Sequence, residues 1–149
     1  MIYKYKRALF MSTKFHVKAY TPDNSIFSNF IKRLKKRLEF HYGSTDFGYV
    51  WVRECSNNGN IHYHLVWMID GDLARTPHYI HTQMEEAWAS TNGYFSYSKY
   101  HFIDCRESLE NALYHGSYIT KARTKGVRPD QTKDYGSSRL AFKSKYEKG

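Results

Sequence analysis

The chain has 149 residues, 41% hydrophobic and 17% aromatic, with 23 Lys and Arg against 14 Asp and Glu, a net charge of +9. That size suits one domain over residues 1–149 and leaves no room for a separate ATPase or helicase domain. Aromatic content argues against disorder, no stretch approaches the roughly 18 apolar residues of a membrane span, and the basic N-terminus lacks a signal-peptide core, so a cytoplasmic protein with no membrane contact is expected.

The first regular segment is Ala8–Tyr20, where Lys14-Phe15-His16-Val17-Lys18 alternates as a strand does. Thr21-Pro22-Asp23-Asn24-Ser25 supplies turn and cap chemistry for a helix reaching about Tyr42. Ile26, Phe27, Phe30, Ile31, Leu34 and Leu38 form its apolar stripe, and Gly43 ends it. Lys32, Arg33, Lys35, Lys36 and Arg37 lie opposite, as a solvated face or a backbone-phosphate contact. Two β-rich runs follow, Phe47–Cys55 and Ile61–Ile69. The polar turn between them contains Asn58-Gly59, a hairpin signal. A second helix is expected over about Pro77–Ser90, a strand over Tyr94–Cys105 and a last helix over about Glu107–Arg123. From about residue 126 the chain reads as an irregular basic tail. The order implies an α+β fold: an antiparallel sheet flanked by helices, on the ferredoxin or RNA-recognition plan. Cys55 and Cys105 form no CxxC pair and read as small core residues in a reducing compartment.

Chemistry concentrates in Asn60-Ile61-His62-Tyr63-His64-Leu65. On a strand, residues two apart share a face, so His62 and His64 can address one point. Glu54 ends the preceding strand of the same hairpin and joins them if it lies opposite either one. Two imidazoles and a carboxylate suit Mn2+ or Mg2+ at a phosphate better than a closed zinc site. Two histidines idle on a wet strand are the plainer alternative. On the last helix Tyr114 and Tyr118 are four apart, and Lys121 and Lys125 follow at helical spacing. A tyrosine there can attack a phosphodiester, with a lysine favouring the phenolate. A helical tyrosine stripe is otherwise usually core. Positive charge beside 14 tyrosines suits a single-stranded nucleic acid, the charge for phosphates and the rings for bases.

Taken together, Val52-Arg53-Glu54, His62-Tyr63-His64-Leu65, Ala87-Trp88, Tyr118-Ile119-Thr120-Lys121 and Tyr135-Gly136-Ser137-Ser138-Arg139 resemble the HUH single-strand DNA endonucleases. Within them the chain is similar to the rolling-circle replication initiators of filamentous phages and related prophage proteins. The resemblance covers about Tyr49–Leu140. It implies the HUH endonuclease fold, with Glu54, His62 and His64 as metal ligands, Tyr118 as nucleophile and Lys121 as its electrostatic partner. Tyr114 is a second candidate nucleophile or a stacking residue. The implied reaction nicks and rejoins single-stranded or hairpin DNA at a replication origin through a 5′-phosphotyrosyl intermediate. A host polymerase and helicase would act alongside. A transposase or relaxase with the same chemistry is the near alternative. A non-catalytic single-strand binding module is the distant one. A phosphoesterase would need a second cluster, and His78-x-x-His81 is expected to be solvated on its helix.

Overall fold

The structure, a computed structural model, describes residues 6–18, 20–43, 47–56, 58–91, 93–97, 99–121 and 135–138. The side chains of 116–121 lie outside that description. The elements run β1 (Ala8–Val17), α1 (Ser25–Tyr42), β2 (Gly48–Cys55), β3 (Ile61–Asp70), α2 (His78–Trp88), β4 (Tyr94–Tyr97), β5 (His101–Ile103), α3 (Arg106–Lys121) and β6 (Tyr135–Ser137). The class is α+β, as expected. The sheet order is β4-β1-β3-β2-β6, and β5 also pairs with β1. Every pairing is antiparallel.

Alternation sorts the residues of the central strands onto two faces. Leu9, Met11 and Phe15 of β1 share one face with Ile61, Tyr63, Leu65, Trp67 and Ile69 of β3, and all are buried. α1 and α2 cover this face with Phe27, Phe30, Ile31, Leu34, Leu38, Ile80, Met84 and Trp88. Phe27 lies flat on Tyr63, with ring centroids 4.3 Å apart, and Phe15 meets both Phe27 and Trp88. Each such ring buried stabilises the fold by about 1.5–3 kcal/mol of transfer free energy.

The start of α1 is tied to the sheet from below. Asp23 Oδ1 accepts from the Ser25 amide at 3.0 Å and from its hydroxyl at 2.7 Å. Asn24 Oδ1 accepts from Tyr63 Oη at 2.8 Å and from Arg53 at 3.0 Å. Arg53 also donates to the Asp23 and Thr21 carbonyls. A buried guanidinium thus satisfies acceptors that the turn before the helix leaves open.

The opposite face carries Ala8 and Phe10 of β1 and Met68 of β3 at one end, where Ala112 and Leu109 of α3 pack with Ile103. None of the described helices is long and apolar enough to cross a membrane.

Four expectations need correction. The segment Tyr94–Cys105 is two short strands, β4 and β5, which both pair with β1 because each covers a different part of that long edge. Part of the C-terminal stretch is regular rather than irregular: Tyr135–Ser137 adds β6 to β2. Cys105 is exposed, and only Cys55 is buried. His81 is not solvated. It is half-buried, donates to Met11 Sδ at 3.0 Å and stacks on Tyr97. The basic face of α1 is also partly structural. Arg33 donates to the Ala87 carbonyl, and Arg37 engages Gln83 and Glu86 of α2. Lys125, Arg139 and the rest of the tail lie outside the described residues.

Candidate active site

Strand register assembles the site. Glu54 pairs with His62, and Val52 pairs with His64, so the carboxylate and both imidazoles share the face that α1 and α2 leave uncovered. His64 Nε2 donates to Glu54 Oε2 at 2.9 Å. Glu54 is only 8% exposed, and its other oxygen, Oε1, is buried with no hydrogen-bond partner. A buried carboxylate oxygen left bare is costly, which makes it a natural place for a cation to sit.

The structure adds a residue that sequence reasoning passed over. β1 lies beside β3, and its pairing sets His16 opposite His62 and Lys14 opposite His64. His16 Nδ1 and His62 Nδ1 are 2.8 Å apart, so one ring donates and the other accepts. The two rings meet edge to face. On its other side His16 stacks flat on Tyr94 of β4, with centroids 4.1 Å apart. Burial, then the neighbouring His62, Lys14 and His64, push the His16 pKa down to about 4. His62 is lowered too, first by burial and then by Lys14, against the pull of Glu54. Both rings are therefore neutral near pH 7, the state in which imidazole ligates a metal.

The donor set fits a hard or borderline divalent ion, with two neutral imidazoles and a carboxylate that has one oxygen to spare. Its convergence is incomplete. Among the described residues no group of three His, Cys, Asp or Glu closes on one point, because His62 turns its Nδ1 to His16 while His64 turns its Nε2 to Glu54. A His62 that donates from Nδ1 keeps its Nε2 lone pair free, the arrangement in which a neighbour fixes the tautomer of a ligating histidine.

Tyr63, between the two histidines, points to the packed face and is fully buried. Burial pushes its phenol pKa up, so it stays protonated and out of reach of substrate. The remaining candidate tyrosines lie on α3. The first turn of this helix lies near Arg7 and Ala8, while His115 meets His101, which stands opposite Phe10. The helix therefore advances along β1 from the Ala8 end towards the end that carries His16. Tyr114 is 79% exposed, so it is no core residue. Positions 118 and 121 belong to the last turn of α3, and the side chains of Tyr118 and Lys121 lie outside the described residues.

The model of a family described as Replication-associated protein, of the ORF2 type, matches residues 8–123. No curated protein and no solved structure matches the chain. The matched span runs from the first residue of β1 past the end of α3, and so contains every candidate ligand and both candidate tyrosines. The chain belongs to this family of replication-associated proteins.

Proposed function

From that membership, we propose that this replication-associated protein is a metal-dependent tyrosine endonuclease and strand transferase of the HUH type. It nicks and rejoins single-stranded or hairpin DNA at the origin of a rolling-circle replicon. The observation that carries the reading is the cross-strand register of Glu54 with His62, beside a His64–Glu54 bond of 2.9 Å.

Glu54, His62 and His64 would hold the divalent ion, Mn2+ or Mg2+. When bound, that ion supplies Lewis-acid polarisation of the scissile phosphate. The proton that His64 now gives Glu54 must leave for its Nε2 to serve as a ligand, so binding releases protons and weakens at low pH. His16 keeps His62 in the tautomer with a free Nε2. Lys14, in the row of His64, neutralises phosphate charge.

Tyr118 is the proposed nucleophile. Its phenolic oxygen attacks phosphorus, the bond to the 3′ oxygen breaks, and the strand is left with a 3′-OH and a 5′-phosphotyrosyl link. Lys121, one turn on, favours the phenolate by its charge. A 3′-OH returning to the phosphotyrosine reverses the step and reseals DNA, with no nucleotide consumed. A host polymerase and helicase act on the free 3′ end between the two steps.

The test is covalent trapping. Labelled single strands from both strands of the protein's own replicon are incubated with Mn2+ or with EDTA and run on a denaturing gel. A metal-dependent adduct that Tyr118→Phe abolishes and Tyr114→Phe preserves supports the reading. Metal-independent binding with no adduct on any strand would replace it with a non-catalytic binding module.

A further inference from the structure

The polar end of the site face is bounded by two tyrosines. Tyr94 on β4 and Tyr135 on β6 stand on opposite edges of the sheet and are 67% and 64% exposed. Both belong to the face of Glu54 and His62. Tyr94 pairs with His16, and Tyr135 pairs with Val52. Gly136 supports the second assignment. A Cβ there would come within 2.5 Å of the Trp51 ring, so position 136 faces the packed side and position 135 faces away from it. Tyr94 is held in place by its flat contact with His16, which covers one side of its ring.

We propose that Tyr94 and Tyr135 are base-stacking platforms for single-stranded DNA, one on each side of the phosphate bound at Glu54, His62 and His64. The proposal rests on the nuclease reading for that phosphate. Its occupant is argued from charge and spacing. The chain carries +9, Lys14 lies in the row between the two edges, and the carboxylate of that row's neighbour, Glu54, is bonded to His64. The tyrosines are four strand steps apart, roughly 19 Å at about 4.8 Å per step. Stacked neighbouring bases sit only about 3.4 Å apart, so the two rings must take bases that are not adjacent. A strand gripped at both ends is drawn out over the centre of the face, with its bases unstacked and its phosphate backbone presented to the histidines. Aromatic faces accept any base, which suits grip rather than sequence reading.

Binding measured in EDTA reads the platforms apart from the chemistry. The probe is end-labelled oligothymidylate of 4, 8 and 12 nucleotides, followed by fluorescence anisotropy. Tyr94→Ala and Tyr135→Ala should each weaken binding of the 12-mer by about 5- to 100-fold. Tyr94→Phe and Tyr135→Phe should bind as the unaltered chain does. Phe40→Ala, on an exposed ring of α1, should change nothing. Ultraviolet crosslinking of the same oligonucleotide carrying 5-bromouracil should label peptides containing Tyr94 and Tyr135. Alanine variants that melt normally and bind at full affinity would overturn the proposal, as would tighter binding of oligouridylate. If trapping yields no adduct while both alanine variants lose affinity, the platforms stand and the nuclease reading falls. If trapping succeeds and affinity is untouched, the reverse holds.

Discussion

The odd and even residues of β3 live in different solvents. Ile61, Tyr63, Leu65 and Trp67 face α1 and α2, and each is 1% exposed or less. His62, His64 and Val66, interleaved with them, are half-buried on the other side. The first set meets Phe15, Phe27 and Phe30 in a dry aromatic layer. The second meets Glu54, His16 and Lys14. Packing on one face holds the strand straight and in register. Register on the other sets which ionisable groups meet. A one-residue slip would trade the two environments and destroy both. Stability and chemistry are thus separable by residue parity on a single strand, and substitutions can be chosen to affect one without the other.

The largest separation should come from the packed side. Leu65→Ala removes a fully buried side chain and should cost about 2–5 kcal/mol in denaturant unfolding. Below its lowered melting temperature, adduct formation should proceed at the normal rate. A chain that stays folded but loses its chemistry would break the parity rule. His62→Ala is the converse. It strands no buried carboxylate, because the partner of His62 is His16, and its melting temperature should stay within a few degrees. Its rate of adduct formation should fall on the order of a hundredfold, the size expected when an electrostatic stabiliser of the transition state is lost. Equal loss of stability and rate in both variants would erase the distinction.

A smaller effect should appear with pH. Burial and then the nearby His78 push the His81 pKa down to about 4, against roughly 6.5 in an unfolded chain. Between those values the unfolded state holds more protons. The stability this residue contributes is whole above about pH 6.5 and is lost as pH falls towards 4. Melting of His81→Gln should therefore decline less across that window than melting of the unaltered chain. The smallest effect belongs to Lys14→Ala. It should lower the slope of log affinity for single-stranded DNA against log salt by about 0.7, one phosphate contact, and leave melting unchanged.

Much of this was legible because alternation is a local property. Polar and apolar residues interleave from Asn60 to Trp67, and Asn58-Gly59 fixes the hairpin, so Glu54 opposite His62 could be foreseen. His16 could not. It sits in an evident strand, but its meeting with His62 depends on β1 lying between β3 and β4, a long-range order that no local pattern states. Had hairpin geometry been supplemented by the question of which strand carries another half-buried imidazole, Lys14-Phe15-His16 was the signal available. β6 was hidden for a different reason. Tyr135-Gly136-Ser137 carries too little hydrophobic pattern to read as a strand, and its place is set by the flat side of Trp51, which admits a glycine. His81 was misread because a helix of mixed polarity does not say which histidine will find a thioether on the sheet below. The partition of Tyr94–Cys105 into two strands likewise reflects the length of β1, not anything within the segment itself.

The central claim is that this family member cuts DNA through a tyrosine of α3 under the control of the polar face. The most direct measurement is the mass of that tyrosine after reaction. The chain is incubated with origin single strands and Mn2+, the DNA is trimmed with nuclease, and α3 peptides are sequenced by mass spectrometry. The account predicts a nucleotide joined through its 5′ phosphate to Tyr118, present with Mn2+ and absent with EDTA or in His62→Ala. A nucleotide on a peptide outside α3, or none under any condition that gives tight DNA binding, would contradict it.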